Sequence, residues 1–246
     1  MNIFGITDIG KKREINQDCI FMSIESIGKL PNLFIVADGM GGHNAGDYAS
    51  KFAIETFVKL IKRSKENDYI TAMNSALQEM NKELHLLASK KPELEGMGTT
   101  FVAAVLYDNK LTVLNVGDSR LYLAKDQLIQ ITRDHSWVEE MVSKGELSRE
   151  EARTHEKKNL ITRAIGADSE VTADFFTVDI GDNDIILLCS DGLTNMVEDD
   201  EIYNILKEST GELSVRGKKL VDIANNNGGK DNISVVLVEP NEFRGV

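Results

Sequence analysis

Three aspartates stand beside strand-forming apolar runs at widely separated points of this 246-residue chain: Asp38 in Asp38-Gly39-Met40-Gly41-Gly42, Asp191 in Ser190-Asp191-Gly192, and Asp231 in Asp231-Asn232. The runs are 33–37, 185–189 and 233–238; two aspartates follow theirs and the third precedes its own. If the third strand is antiparallel to the other two, all three carboxylates reach the same edge of a sheet. Carboxylates crowded at one edge repel each other and ask for a hard divalent cation with oxygen ligands. The chemistry indicated is metal-dependent.

Other groups add to this or fall away. In Arg13-Glu14-Ile15-Asn16-Gln17-Asp18 a guanidinium fork stands near acidic groups, as recognition of a phosphoryl group requires; alone, the hexapeptide reads as a charged surface turn. Gly117-Asp118-Ser119-Arg120 lies between two strands, and a hairpin turn accounts for it taken singly. Gly39 permits a sharp turn off a buried strand, and its carbonyl could itself become a metal ligand. Gly41 and Gly46 have the spacing of a phosphate-cradling loop, but Asp47 stands where lysine is needed, which excludes a nucleotide cradle. Cys19 and Cys189 fall inside expected strands as packing residues, and neither opens the loop of a cysteine nucleophile.

The elements that must position these groups follow from periodicity. Short strands are expected at 3–8 and 19–26, around the polar stretch 11–18, and a strand buried on both faces at 33–37. The period then changes: Ala49, Phe52, Ala53, Thr56, Phe57 and Leu60 mark one helical face. Ile70, Met73, Leu77, Met80, Leu84 and Leu87 mark another, joined to the first near Asn67-Asp68 as an antiparallel pair. Hairpins follow at 99–107 with 110–116, around Asp108-Asn109, and at 120–124 with 127–131, around Lys125-Asp126. Residues 136–165 are polar and poorly patterned, a partly helical surface flap. Strands at 175–178 and 185–189, helices at 199–207 and 212–225 with Ser214 or a neighbour at the cap, and a strand at 233–238 complete the order. The fold class expected is α+β, an α-β-β-α sandwich of two mostly antiparallel sheets flanked by helix pairs.

The balance of 28 basic against 40 acidic residues gives a net charge of -12, which argues against a nucleic-acid surface. The chain starts without a basic segment followed by an apolar one, and holds no apolar run of membrane-spanning length. No linker or repeat divides it, so one catalytic domain over 1–246, cytoplasmic and monomeric, is expected.

Arg13-x-x-Asn16-Gln17-Asp18, Asp38-Gly39-Met40-Gly41-Gly42, Gly98-Thr99-Thr100, Gly117-Asp118-Ser119-Arg120, Leu160-Ile161-Thr162-Arg163-Ala164-Ile165-Gly166, Ser190-Asp191-Gly192-Leu193 and Asp231-Asn232 occur in this order. Together they resemble the metal-dependent protein phosphatases, the PPM or type 2C family, in its compact bacterial form. The resemblance runs over 3–238. It implies that Asp38 bridges two manganese or magnesium ions, with Asp191 and Asp231 completing the first. The Gly39 carbonyl would join Asp38 on the second, with Asp18 acting through water, and Asp118 with Asp191 would form a third site. Arg13 would bind the phosphate, making Arg13 and Asp38 the catalytic pair. Two such ions acidify a bridging water that attacks phosphorus in line, without a phosphoenzyme. The implied activity is hydrolysis of phosphoserine and phosphothreonine in proteins, opposing a bacterial Ser/Thr kinase; the alternative is a non-catalytic phosphoprotein-binding scaffold. A dedicated regulatory phosphatase of the stress-response type is a third reading, and such proteins usually carry sensor or membrane segments.

Two positions depart from the wider family. Met40 stands where many eukaryotic members carry a histidine as general acid, leaving His43 or a water as the proton source. Gln17 replaces a glutamate common in relatives. His135 reads as an anchor for the base of the flap, and His85 as structural. Five basic residues between Arg149 and Arg163, set against Glu150, Glu151 and Glu156, read either as a solvated helix with i,i+4 pairs or as an attractor of phosphopeptides.

Overall fold

The structure is a computed structural model and describes residues 1–42, 45–90, 92–94, 96–208 and 211–240. Its first half runs β1 (Asn2–Asp8), β2 (Asp18–Ser23), β3 (Leu33–Met40), α1 (Ala45–Arg63), α2 (Tyr69–Lys90), β4 (Gly98–Thr99), β5 (Phe101–Tyr107) and β6 (Lys110–Val116). The second half runs β7 (Arg120–Ala124), β8 (Leu128–Gln130), α3 (Trp137–Ser143), α4 (Arg149–Thr154), β9 (Asp174–Asp179) and β10 (Ile185–Cys189). It closes with α5 (Asp191–Thr194), α6 (Asp199–Leu206), α7 (Leu213–Asn226) and β11 (Ile233–Glu239).

Antiparallel pairing gathers the strands into two sheets, β1-β11-β10-β7-β8 and β2-β3-β5-β6-β9, with β4 paired to β3. Strand alternation assigns the layers. Leu33, Ile35 and Ala37 pack with α1 and α2, while Phe34 and Val36 pack between the sheets. On β10, Ile185, Leu187 and Cys189 face the helices of the other side, while Ile186 and Leu188 face the sandwich interior. This is the expected α-β-β-α order. The turn between β5 and β6 also forms as expected, with Asp108 and Asn109 at φ 48° and 56°, the double left-handed geometry of a tight hairpin.

The same parity places chemistry. Asp38 shares the face of Phe34 and Val36, so its side chain continues the sandwich interior at its open end. Asp18 is its direct cross-strand partner. A one-residue slip of β3 would carry Asp38 to the helix side and would exchange Phe34 and Val36 with Leu33, Ile35 and Ala37 between two differently packed layers.

Three expectations are corrected. The aspartates do not share one sheet edge: Asp38 belongs to one sheet, and Asp191 and Asp231 flank strands of the other. Gly117-Asp118-Ser119 is not a hairpin, because β6 and β7 lie in different sheets, and the segment is the crossing between them. The chain does not turn at Gly39, since β3 runs through it to Met40. Glycine is needed there because a Cβ would lie 1.9 Å from the Gly46 oxygen at the start of α1. At the other helix pair, the N-cap position of α7 is Glu212, a near neighbour of Ser214, and its side chain makes no capping hydrogen bond.

The segment 9–17 also crosses between the sheets, and Asn232 pins it. Its Nδ2 donates to the carbonyls of Ile9 at 2.9 Å and Ile15 at 3.0 Å, and its Oδ1 accepts from the Gln17 N–H at 2.8 Å. Asn232 is buried, so Asn232→Ala strands those groups and is expected to cost about 2–4 kcal/mol. Urea unfolding checks this, and a loss near zero contradicts the pinning role.

Candidate active site and metal centre

Where the two sheets end together, polar side chains replace the apolar interior. Ser190, on the inward parity of Ile186 and Leu188, donates to Asp18 Oδ2 at 2.7 Å and accepts from the Ser234 N–H at 2.9 Å. One sheet thereby orients an aspartate of the other. The Asp38 backbone is held from its far side: its N–H donates to Thr100 Oγ1 at 2.9 Å, and Thr99 Oγ1 donates to its carbonyl at 2.9 Å. Thr100 and Ser119 hydroxyls meet at 2.7 Å, which ties the Asp38 strand to the crossing that carries Asp118. Arg13 reaches from the 9–17 segment to Asp231, with Nη2 2.8 Å from Oδ2.

Asp18, Asp38, Asp118, Asp191 and Asp231 thus come close enough for their charges to act on one another, and Asp118 and Asp191 line the adjoining cleft. Burial, then Asp18, Asp191, Asp118 and Asp231, holds the Asp38 carboxyl well above the usual carboxylate range. Asp118 is raised in the same way, by burial and then by Asp191 and Asp134. Burial pushes Asp18 up to about 6 despite the hydrogen bond from Ser190. Asp191 is pushed up to about 7 by burial, then by Asp231 and Asp18.

Such a cluster fits a hard cation. All its side-chain donors are carboxylate oxygens, and Asp18 Oδ1 and Asp191 Oδ1 are buried without a hydrogen-bond partner. Among the described residues no three His, Cys, Asp or Glu side chains are drawn into a ready-made cage. The two unpartnered oxygens and the unbalanced charge of the cluster carry the fit. The Gly39 carbonyl lies beside Asp38 at the end of β3, close to Gly46.

Residues 10–225 match the family described as protein phosphatase 2C. The chain belongs to that family. It is 43% identical over 242 residues, covering 96% of this chain and 94% of the relative, to the serine/threonine phosphatase stp of Listeria innocua serovar 6a. It is 38% identical to the protein phosphatase PhpP of Streptococcus pneumoniae serotype 2, with 98% of each covered. The catalytic domain of the serine threonine protein phosphatase PstP in complex with 2 manganese ions superposes with a TM-score of 0.83 at 33% identity, covering 96% of both chains.

In this protein phosphatase 2C chain the departures acquire physical form. Met40 packs over Gly98, where a Cβ would lie 2.7 Å from its Cε, and a thioether has no proton to give. Gln17 is buried, with its amide against Gly46. His43 falls outside the described residues. His135 does anchor the flap: its Nδ1 accepts from the Gly117 N–H at 3.0 Å, its carbonyl accepts from the Thr162 N–H at 2.8 Å, and its Nε2 lies 3.2 Å from Asp174. Because Nδ1 is an acceptor, the ring proton sits on Nε2 and points to Asp174. Burial lowers the pKa of the ring. His85 meets the Gly166 carbonyl at 3.1 Å, a structural contact.

The flap cations are largely solvent-exposed, as expected, but they pair with other elements rather than at i,i+4. Arg149 binds Glu139 of α3, Arg153 binds Glu198 of the body, Arg163 binds Asp174, and Lys157 lies 4.9 Å from the centre of the Trp137 ring. They fasten the flap. Sequence reasoning missed Thr99, Thr100, Ser119, Ser190 and Asn232 as individuals, although each lies within a motif that it singled out.

Linkage fixes a pH test. The unfolded carboxylates titrate near 3.9, whereas Asp18 and Asp191 in the fold titrate at about 6 and about 7. Between those values the folded protein holds more protons, so their contribution to stability is present at low pH and lost as pH rises toward 7. In chelator the melting temperature is expected to fall from pH 5 to pH 7.5, and the fall should vanish in manganese. Differential scanning calorimetry reads both, and identical slopes contradict the assignment.

Proposed function

We propose that this chain is a cytoplasmic, monomeric Ser/Thr protein phosphatase, one catalytic domain that uses divalent ions to hydrolyse phosphoserine and phosphothreonine in proteins. The observation that carries the metal reading is the pair of buried, unpartnered oxygens, Asp18 Oδ1 and Asp191 Oδ1, within a cluster of raised carboxylates. Asp38, Asp191 and Asp231 would hold one ion, and Asp38 with the Gly39 carbonyl a second, with Asp18 supporting it through water. Asp118 with Asp191 would serve a third. Manganese and magnesium both suit this oxygen set. When bound, the ions activate water for in-line attack and neutralise charge on the phosphoryl oxygens.

The chain's own groups do the rest. Arg13, about half exposed, has a planar fork that can shift from Asp231 to grip phosphate oxygens. Among the described residues, neither cysteine nor the serines beside the cluster stand ready as a covalent nucleophile. Burial raises the Cys189 thiol far out of the thiolate range, and Cys19 is raised as well. Ser190 is committed to Asp18 and Ser119 to Thr100. That supports hydrolysis in one step. Between the flap and the body, a cleft of about 1260 Å³ is lined by both Asp118 and Asp191, so a phosphoprotein segment can lie against the acidic centre. The net charge of -12 favours proteins over nucleic acids as substrates, and the enzyme opposes a Ser/Thr kinase.

Phosphate release from a phosphothreonine peptide tests this. Turnover is expected with manganese or magnesium, none with chelator, and only background for Asp38→Asn. Arg13→Ala should lower kcat/KM about 10–100-fold, the loss of one charge-assisted hydrogen bond. Folded, manganese-loaded protein that releases no phosphate would instead favour the phosphoprotein-binding scaffold.

A further inference from the structure

Asn195 connects the flap to the acidic centre. It caps α5 one turn after Asp191, with its backbone N–H donating to the Asp191 carbonyl at 2.8 Å. The helical spacing brings its side chain over the carboxylate, and Nδ2 donates to Asp191 Oδ2 at 2.8 Å. Asp191 Oδ1 is the oxygen left without a partner. On its other side Asn195 Oδ1 accepts from Lys158 Nζ of the flap at 3.0 Å. These two partners fix the amide. Turned over, it would set its oxygen against a carboxylate and its NH₂ against an ammonium, and both contacts would be repulsive.

We propose that Asn195 is a positioning residue that presents Asp191 to a metal ion, and that Lys158 orients Asn195, so that the seating of the flap tunes metal affinity. This rests on reading the acidic cluster as a metal site. A second tie, Arg153 to Glu198 at 2.6 Å, holds the flap in the same seat, three residues beyond Asn195. Hydrogen-bonding partners of metal ligands commonly control affinity by fixing the ligand's orientation.

Lys158 acts on the site by two routes of opposite sign, and this makes the relay separable from plain electrostatics. As a cation near Asp191 it opposes a bound cation, so its removal through charge alone tightens metal binding. As the group that orients Asn195 it supports binding, so its removal through the relay loosens it.

The experiment is calorimetric titration of manganese chloride into chelator-stripped full-length protein, with circular dichroism to confirm folding. Asn195→Leu, of similar volume but unable to hydrogen-bond, is expected to weaken manganese binding about 10-fold or more. Lys158→Met should weaken it several-fold, and Lys158→Arg should stay near the parent. In the Asn195→Leu background, Lys158→Met should no longer weaken binding but tighten it. Tighter binding by Lys158→Met in the parent background overturns the relay, as does an unchanged titration for Asn195→Leu. Parent protein that binds no manganese overturns the metal reading itself, a result distinct from either.

Discussion

The structure depends on the mutual repulsion of aspartates held where two sheets end. Asp18 and Asp38 are direct cross-strand neighbours, an arrangement that costs stability when both are charged. Asp118, Asp191 and Asp231 add to the same field. A fold designed for stability alone would not gather them. The surrounding contacts hold these groups near one another against that repulsion, and a divalent ion converts the liability into binding free energy.

Each restraint on the cluster comes from the sandwich. Strand parity, fixed by buried Phe34, Val36, Ile186 and Leu188, turns Asp38 and Ser190 toward the shared interior. Two crossings at this end, 9–17 and 117–119, bring Arg13 and Asp118 to a site that neither sheet could build alone. Hydrogen bonds then stitch the halves together, through Ser190 to Asp18, Thr100 to Ser119, and Asn232 to the 9–17 segment. Ile165 roots the end of the flap in the core, and the flap's cations fasten its outer part against this frame. Paired charges at a surface hold weakly, which suits an element that must let substrate in.

Much of this was legible in the sequence because period and parity are local. The continuous run at 33–37, the double positive-φ turn at Asp108-Asn109 and the helical faces after Ala49 each carry their own signal. The aspartates could be picked out because each adjoins such a run. What escaped was long-range. Gly-Asp at 117–118 has the same turn chemistry whether the chain doubles back or changes sheets, so the crossing was unreadable. The short helix α5 spans only Asp191–Thr194, too few residues for periodicity to declare. Pairing partners of the flap cations lay on other elements, beyond any i,i+4 rule.

The central claim is that the carboxylates form one metal centre organised around Asp38. The most direct measurement is anomalous diffraction at the manganese edge from crystals grown with manganese. A centre of this kind should give two peaks about 3.5–4 Å apart with Asp38 between them, and Asp191 and Asp231 on the first. Manganese-activated protein whose crystals show no anomalous peak beside Asp38 would contradict it.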